Sequence, residues 1–164
     1  MAGTRRGATL DELRAIYEGR LPELTRVAAA ITGDRQGAQD VVQEAFVRAI
    51  RQRGSFQARS DLGGWVWRIV VNAARDARAG QGGEGWPPLS ESDQDGKDEP
   101  GRAFVREAVE QLPERQRLVL FLRYYADLDY RAIGHAVSIS EGTVAATLHA
   151  AHQRMRELLS EAQR

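Results

Sequence analysis

Apolar residues recur every three to four positions along the first half of the chain, a spacing that is typical of amphipathic helices. Alternating β-branched residues with turn dipeptides, which would indicate strands, are missing. The pattern predicts a helix that begins at Thr9 or Asp11, a second helical stretch from Pro22 to near Gly33, a third helix over 37–53, a loop over 54–64 and a fourth helix over 65–79.

The second half of the chain has the same periodicity. An apolar stripe over 104–112 is followed by Pro113, which suits the first turn of a helix that continues through 125. A short helix over 130–137, a three-residue break and a long helix to Leu159 come next, with Ser140 as N-cap. So tight a turn between two helices suggests a helix-turn-helix. The last helix is expected to bury Val144, Leu148, Ala151, Met155, Leu158 and Leu159.

Composition separates these two halves. The chain of 164 residues has no net charge and is 42% hydrophobic. Residues 81–101 hold one lysine against six acids and collect glycine, proline and serine. Such a segment cannot bury enough apolar surface to offset its ordering entropy. The sequence therefore predicts an all-α fold of two small helical domains, 8–80 and 102–162, joined by a flexible acidic linker over 81–101.

Several function classes are excluded at this point. The chain has no cysteine, so disulfides, thiol nucleophiles and zinc sites with sulfur ligands are ruled out. His149 and His152 lie three residues apart, but no carboxylate completes a metal site on their face, and they are interpreted as surface residues. No phosphate-binding loop or Ser-His-Asp arrangement appears. We expect a non-enzymatic protein with no catalytic residue, cofactor, metal or small-molecule substrate. No export signal and no apolar run of about 20 residues is present, which predicts a cytoplasmic protein.

Two stretches of sequence resemble a known family. The first holds Ile31-Thr-Gly-Asp34, Gln39-Asp-Val-Val-Gln-Glu-Ala-Phe-Val-Arg-Ala-Ile50 and Trp65-Val-Trp-Arg-Ile-Val-Val-Asn72. The second holds Leu112-Pro-Glu-Arg-Gln-Arg-Leu-Val-Leu-Phe-Leu-Arg-Tyr124, Ser140-Glu-Gly-Thr-Val144 and Arg156-Glu-Leu-Leu159. They resemble regions 2 and 4 of the extracytoplasmic-function (ECF, group 4) sigma factors of bacterial RNA polymerase. The resemblance implies a protein that binds core polymerase, recognises the −10 and −35 elements of a promoter and helps to melt the −10 region.

The third helix carries an outward half of charged and amide side chains. Such a half is often merely solvated, but the resemblance favours docking on the clamp helices of the largest polymerase subunit, where charge pairs set orientation more than affinity. The second-largest subunit's flap is the other polymerase contact implied. The residues implied in core-polymerase binding are Asp40, Gln43, Glu44, Arg48 and Arg51.

The fourth helix and the loop before it are implied in −10 recognition. Trp65 and Trp67 stand at i and i+2 and cannot share a face, so one should be core and the other should lie near the surface. Exposed rings and arginines suit unstacked single-stranded bases. Asn72 would either hydrogen-bond a base edge or cap locally. The implied −10 contacts are Phe56, Gln57, Arg59, Ser60, Trp65, Trp67, Arg68, Asn72 and Arg75.

The final helix is implied in −35 recognition, yet its N-terminal half lacks the lysines and arginines that are common in the family. Fewer cations mean weaker phosphate anchoring and a shallower salt dependence. Part of the contact with the DNA phosphate backbone would come instead from Arg115, Arg117, Arg123 and Arg131. In the turn before this helix, Ser138 stands where the family commonly has glycine. The implied −35 contacts are Arg131, Ser140, Glu141, Thr143, Ala145, Ala146, Thr147, His149 and Arg154.

The resemblance also implies regulation by an anti-sigma factor, which would hold the protein inactive and keep it at the membrane. The acidic linker is either a solvated tether or a segment that threads the polymerase cleft towards the RNA exit path, where its acids would mimic the charge of the transcript. Two other classes stay open. One is a stand-alone helix-turn-helix regulator; the other is a sigma-like decoy that binds an anti-sigma factor without initiating transcription.

Overall fold

The computed structural model describes residues 7–82 and 100–162, and within them the chain is helical apart from the turns and loops that join the helices. The predicted all-α fold is confirmed. The seven α-helices are α1 (Leu10–Thr32), α2 (Arg35–Gln52), α3 (Leu62–Gly80), α4 (Pro100–Glu110), α5 (Glu114–Tyr124), α6 (Tyr130–Val137) and α7 (Glu141–Ala162), with a 3-10 turn at Arg53–Ser55.

Helices α1, α2 and α3 form the first unit and pack pairwise against one another. Thr9 begins α1 with a capping box, because its hydroxyl accepts from the Glu12 amide and the Glu12 carboxylate accepts from the Thr9 amide. Gly33 ends α1 in the left-handed conformation, with φ of 72°. Asp34 and Asp61 cap α2 and α3 through their side chains. Local capping thus fixes where each helix begins.

Pro22 does not begin a separate helix, contrary to the sequence prediction. It lies inside the continuous helix α1. Proline lacks the N–H that would bond to the carbonyl four residues earlier, on Glu18. Both residues are exposed, so water can satisfy that carbonyl. Burial of Leu24, Val27 and Ile31 beyond the proline keeps the helix running along the core.

Helices α4 to α7 form the second unit. Helix α6 spans the range that the sequence predicts, and the residues from Ser138 to Ser140 form the turn before α7. Ser138 adopts φ of 59°, a left-handed conformation that costs a side-chain-bearing residue about 1–2 kcal/mol. The Ser140 hydroxyl accepts from the Thr143 amide at 3.1 Å, which confirms Ser140 as the N-cap of α7. The predicted helix-turn-helix is therefore present.

The predicted core of α7 is correct for Val144, Leu148, Ala151 and Leu158, which are buried. Met155 and Leu159 are only half-buried, contrary to the prediction. Both lie in the last third of the helix, where fewer elements remain to cover it.

The two units share one buried core, in which α6 packs against α3. The predicted linker over 81–101 lies almost entirely outside the described residues. At its described ends, Gln81 follows the end of α3, and α4 already begins at Pro100. No helix of the described residues is long and apolar enough to cross a membrane.

Candidate functional site

The outer face of α2 is exposed and polar. Asp40, Gln43, Glu44 and Arg51 all point to solvent, as the helical pattern predicts. Arg48 is half-buried and bridges two helices, since its guanidinium lies 3.3 Å from Glu44 Oε1 and 3.0 Å from Asp76 Oδ2 of α3. The hydrogen bond to Asp76, and then that to Glu44, raise the pKa of the Arg48 guanidinium above its ordinary value. Arg48 therefore connects α2 to α3 beside this polar face.

Two apolar side chains interrupt this polar face. Val47 is 40% exposed and Ile50 is 39% exposed. The helical pattern assigns Ile50 to the buried half of α2, and that assignment is wrong, because the side chain lies at the margin of the core. An exposed apolar pair beside charged residues is what a docking helix presents to a partner. In the sequence, this apolar pair is indicated only by Val47, which is an apolar residue among the polar residues of the outward half of α2.

Phe56 and Trp67 are buried, at 7% and 1% exposure, so neither side chain is open to DNA in this structure. Their assignment as direct DNA contacts is corrected on that ground. Trp67 is the largest fully buried side chain among the described residues. Phe56 covers Trp65, with ring centroids 5.5 Å apart. Phe56, in the loop before α3, thus packs against the ring of Trp65.

The remaining −10 candidates occupy one side of α3 and the loop before it. Arg68, Asn72 and Arg75 are exposed, and Trp65 is half-buried with its ring against Phe56. In the loop, Gln57 and Arg59 are exposed and Ser60 is half-buried. A half-buried aromatic ring provides a stacking surface for a base, and the arginines beside it provide cations for phosphates.

The −35 candidates lie on the helix-turn-helix. Six of them are exposed along α7 and four lack charge, whereas Thr143 and Thr147 are half-buried. The Thr147 hydroxyl donates to the Thr143 carbonyl at 2.7 Å, which occupies its proton. Arg154 lies 3.3 Å from Glu157 on the same helix. The exposed candidates on α7 are Ser140 at its N-cap, then Glu141, Ala145, Ala146, His149 and Arg154.

The Arg117 side chain is not exposed at the surface, contrary to the prediction that it helps to contact the DNA phosphate backbone. It is 6% exposed, and its guanidinium donates to the carbonyls of Glu110 and Leu112. Burial lowers the pKa of Arg117 below its ordinary value. Its role is to join the end of α4 to α5. Arg115 is exposed, as the same prediction requires.

Arg68 and Arg131 both line a solvent-open cavity between the two units. The cavity has a volume of about 470 Å³ and is also lined by His135, Ser140 and Glu141. The structure thus brings candidates for −10 and −35 recognition to one place, which periodicity within either unit could not reveal.

The two histidines of α7 do not meet further metal ligands. His152 Nε2 lies 2.7 Å from the Tyr124 hydroxyl, and His149 is exposed. Within residues 7–82 and 100–162, no three His, Asp or Glu side chains converge on a metal position. His152 is thus accounted for by its hydrogen bond to Tyr124.

The structure thus joins a three-helix unit, whose helix α2 has an exposed polar face, to a helix-turn-helix unit, a motif that many DNA-binding proteins contain. The family model "Sigma-70 region 2" matches residues 16–83, and "Sigma-70, region 4" matches 105–155. The RNA polymerase sigma-H factor of Pseudomonas aeruginosa is 34% identical over 146 residues, which cover 77% of this chain and 75% of that protein. The chain belongs to the RNA polymerase sigma factors, which bind core polymerase and direct promoter-specific initiation of transcription.

Two further similarities agree with this. The ECF RNA polymerase sigma factor SigL of Mycobacterium tuberculosis is 28% identical over 158 residues, which cover 91% of this chain and 89% of that protein. Among solved structures, the sigma factor RpoE in complex with the anti-sigma factor NepR from Bartonella quintana has a TM-score of 0.66. It is 21% identical, and the match covers 92% of this chain and 98% of that chain. The two-unit fold is thus shared with a solved sigma factor.

Proposed function

We propose that the chain is an ECF-type sigma factor whose two units divide promoter recognition between them. Domain 8–80 would bind polymerase and open the −10 element, domain 102–162 would read the −35 element, and 81–101 would link them. The observation that carries this proposal is the succession of a region 2 match and a region 4 match separated only by residues 84–104. Similarity to a curated ECF sigma factor over 91% of the chain supports the group assignment.

Polymerase binding is assigned to the outer face of α2. Asp40, Gln43 and Glu44 are exposed there, with Val47 beside them. Complementary charges on the clamp helices of the largest subunit would orient the encounter, while the apolar side chain adds buried area. Arg48 and Arg51 complete the proposed contact, Arg48 chiefly by holding α2 on α3. The second unit would bind the flap of the second-largest subunit.

Promoter opening is assigned to α3 and the preceding loop. Trp65 offers a ring face for an unstacked base, and Arg68, Asn72 and Arg75 are exposed beside it for phosphates and base edges. A flipped base would bind in the loop before α3, beside Gln57, Arg59 and Ser60. Extruding a base costs a few kcal/mol, so a site that binds it lowers the barrier to opening. The step needs binding energy alone and no covalent chemistry.

Recognition of the −35 element is assigned to the start of α7 and to Arg131. The amide end of the helix suits a phosphate, and alanine and threonine methyl groups suit thymine methyls. Since Arg154 is the first cation along α7, the proposed contact is poor in charge. We therefore assign this element a smaller share of the affinity than the −10 region.

An anti-sigma factor is the proposed regulatory partner. A solved relative in fold was crystallised with the anti-sigma factor NepR, and the apolar side chains Val47 and Ile50 are exposed on the surface assigned to polymerase. A protein that covers them would compete with polymerase. The proposed location is the bacterial cytoplasm, with the anti-sigma factor holding the protein at the membrane.

Reconstitution tests this function. The purified chain is mixed with sigma-free core polymerase, and complex formation and run-off transcripts from genomic fragments are measured. Discrete transcripts are the expected result, and their upstream sequences give the −10 and −35 elements. Core binding without transcripts would favour a decoy, and DNA binding without polymerase would favour a stand-alone regulator.

A charge reversal on α2 sharpens the test. Asp40→Arg should weaken core binding by about tenfold, because it reverses an exposed charge on the proposed contact. Glu18→Arg is the matched control, since Glu18 is an exposed acid on α1 that pairs with Arg14 of the same helix at 2.8 Å. If both variants bind core polymerase with equal affinity, the assignment of the contact to α2 is wrong.

A further inference from the structure

The two residues before the N-cap of α1 lie along the turn that follows α2. The Gly7 amide donates to the Phe56 carbonyl at 2.9 Å. The Ala8 amide donates to the Arg53 carbonyl, also at 2.9 Å. Ala8 is buried and belongs to the hydrophobic core. We name Gly7 and Ala8 the brace, because two main-chain hydrogen bonds and a buried methyl group hold them against this turn.

Gly7 has a backbone conformation that favours glycine. Its φ is 93°, in the region that residues with a side chain rarely adopt. A Cβ atom on Gly7 would also lie 3.0 Å from the Arg53 carbonyl oxygen and 3.2 Å from Gly54 Cα. Both distances are shorter than ordinary van der Waals contact. The brace can therefore approach the turn this closely only because residue 7 has no side chain.

The start of α1 fixes the other end of the brace. Thr9 follows it directly, and the Thr9 hydroxyl accepts from the Glu12 amide at 3.1 Å. The Glu12 carboxylate accepts in return from the Thr9 amide at 2.8 Å. A capping box of this kind sets the direction in which the chain enters the helix. The brace thus connects the capped start of α1 to the turn after α2.

The turn that the brace holds leads directly into the loop 57–60, whose polar residues we assign to a flipped base. Phe56, just before this loop, is buried and packs against the Trp65 ring. Just after the loop, the Asp61 carboxylate accepts from the Gly63 amide at 3.0 Å and caps α3. The loop is therefore anchored on both sides, by the brace and Phe56 before it and by Asp61 after it.

A site for a single extruded base depends on the position of a few polar groups. The Ser60 amide donates to the Gln57 carbonyl at 2.8 Å, so the loop backbone makes a tight turn between its anchors. The exposed side chains of Gln57 and Arg59 project from this short backbone. Hydrogen bonds weaken steeply when distance or angle departs from the optimum, and a site that is about 1 Å too loose loses function. The anchors on either side therefore decide how selectively the loop binds a base.

We infer that the brace is a positioning element for promoter opening, because it holds in place the backbone of the loop that receives a −10 base. The inference rests on the proposed function of that loop. Gly7 and Ala8 act through the loop backbone rather than by touching DNA. Loss of the brace lowers base selectivity and strand opening, and it leaves core-polymerase binding by the outer face of α2 unchanged.

A methyl group on Gly7 tests the brace. Gly7→Ala adds left-handed strain and a close contact, and because residue 7 lies outside the helices, release of the brace relieves both. Gly54→Ala is the matched control, since it puts the same methyl group on the facing turn, where nothing lies within 4 Å. With core polymerase, Gly7→Ala should lower the permanganate reactivity of promoter thymines by roughly tenfold. Gly54→Ala should open promoters like the parent chain.

Base selectivity separates positioning from a loss of stability. The complex with core polymerase is titrated with single-stranded −10 oligonucleotides that carry each of the four bases at the position where the parent chain is most selective. Gly7→Ala should reduce that preference by roughly tenfold while binding core polymerase as the parent does. A purely structural role would weaken binding of all four oligonucleotides alike, which would overturn the inference.

A charge at the buried alanine releases the brace by a second route. Ala8→Asp places a carboxylate in the core, whereas Leu10→Asp places one two residues later, where the side chain is 53% exposed. Ala8→Asp should show the same defects in opening and selectivity as Gly7→Ala. Leu10→Asp should match the parent chain.

The two proposals fail in different ways. Amide hydrogen exchange should show protected Gly7 and Ala8 amides in the parent chain, and this protection reports the brace whether or not the chain initiates transcription. If the parent chain yields no transcripts with core polymerase, the proposed function fails and the exchange result stands. If exchange shows that the brace is released in a variant whose opening and base preference are unchanged, the inference is overturned and the function stands. Unprotected amides in the parent chain, or unfolding of the first unit by both Gly7→Ala and Ala8→Asp in urea titrations, would also overturn it.

Discussion

Trp65 and Trp67 stand two positions apart in α3 and should respond in opposite ways to truncation. Trp67 is 1% exposed and lies in the core, whereas Trp65 is half-buried against Phe56. We therefore expect Trp67→Ala to lower stability and Trp65→Ala to impair the proposed opening of the −10 element. The pair separates the two roles within a single helix.

The magnitudes follow from the burial. A buried tryptophan removes roughly 150–250 Å² from water, which is worth about 4–6 kcal/mol at 25 cal/mol per Å². Tryptophan-to-alanine changes in cores cost about 3–5 kcal/mol. We expect Trp67→Ala to cost about 4 kcal/mol, a large part of the total stability of a small domain. Trp65→Ala should cost about 1–2 kcal/mol, because part of its ring already faces water.

Urea unfolding followed by helical circular dichroism measures both values. Permanganate reactivity of promoter thymines, with core polymerase present, measures strand opening. We expect Trp65→Ala to remain folded and to lose most of the opening, because an unstacked base loses its ring partner. Equal losses of stability in the two variants would refute the burial argument. Full opening by Trp65→Ala would refute the assignment of its ring to the −10 element.

Three smaller predictions concern the second unit. Arg117→Ala should cost about 2–3 kcal/mol, because two carbonyls lose a charged donor, while exposed Arg115→Ala should cost less than about 0.5 kcal/mol in the same urea titration. Gly134→Ala should destabilise by about 1–3 kcal/mol, since its Cβ would lie 2.7 Å from a turn carbonyl, and Gly142→Ala, which meets only a side-chain oxygen at 3.9 Å, should not. Ser138→Gly should raise the melting temperature by relieving the left-handed strain, and an unchanged or lower value would contradict that reading of the turn.

Helix boundaries were predictable where the signal is local. Helix α6 and the cap at Ser140 follow from residues that contact each other within one turn. Pro22 gave a misleading local signal, because the packing of α1 on the rest of the first unit outweighs one missing hydrogen bond. The starts of α2 and α3 were predicted too late, at 37 and 65, because the N-caps Asp34 and Asp61 were not recognised; these helices begin at Arg35 and Leu62.

Contacts that depend on how helices pack were not predictable. Arg117 looks like a surface cation in the sequence, but it is buried against the carbonyl groups of Glu110, at the end of α4, and of Leu112, in the turn that follows. The approach of Gly64 to His135 depends on the docking of the two units, on which neither helical periodicity nor composition bears. The polar face of α2 was predictable from periodicity, with the exception of Ile50 at the margin of the core.

The shortage of cations at the start of α7 is physically connected with the packing of α6 against α3. Arg68 and Arg131 already line the cavity between the units, and the α7 residue that faces them is Glu141. A recognition helix with lysines or arginines at those positions would add like charges beside these arginines, and each close pair would favour separation of the units. An uncharged helix start with one acid removes that repulsion. The composition that would weaken phosphate contact in the proposed −35 recognition is thus the same composition that lets α6 and the start of α7 lie against α3 without added repulsion.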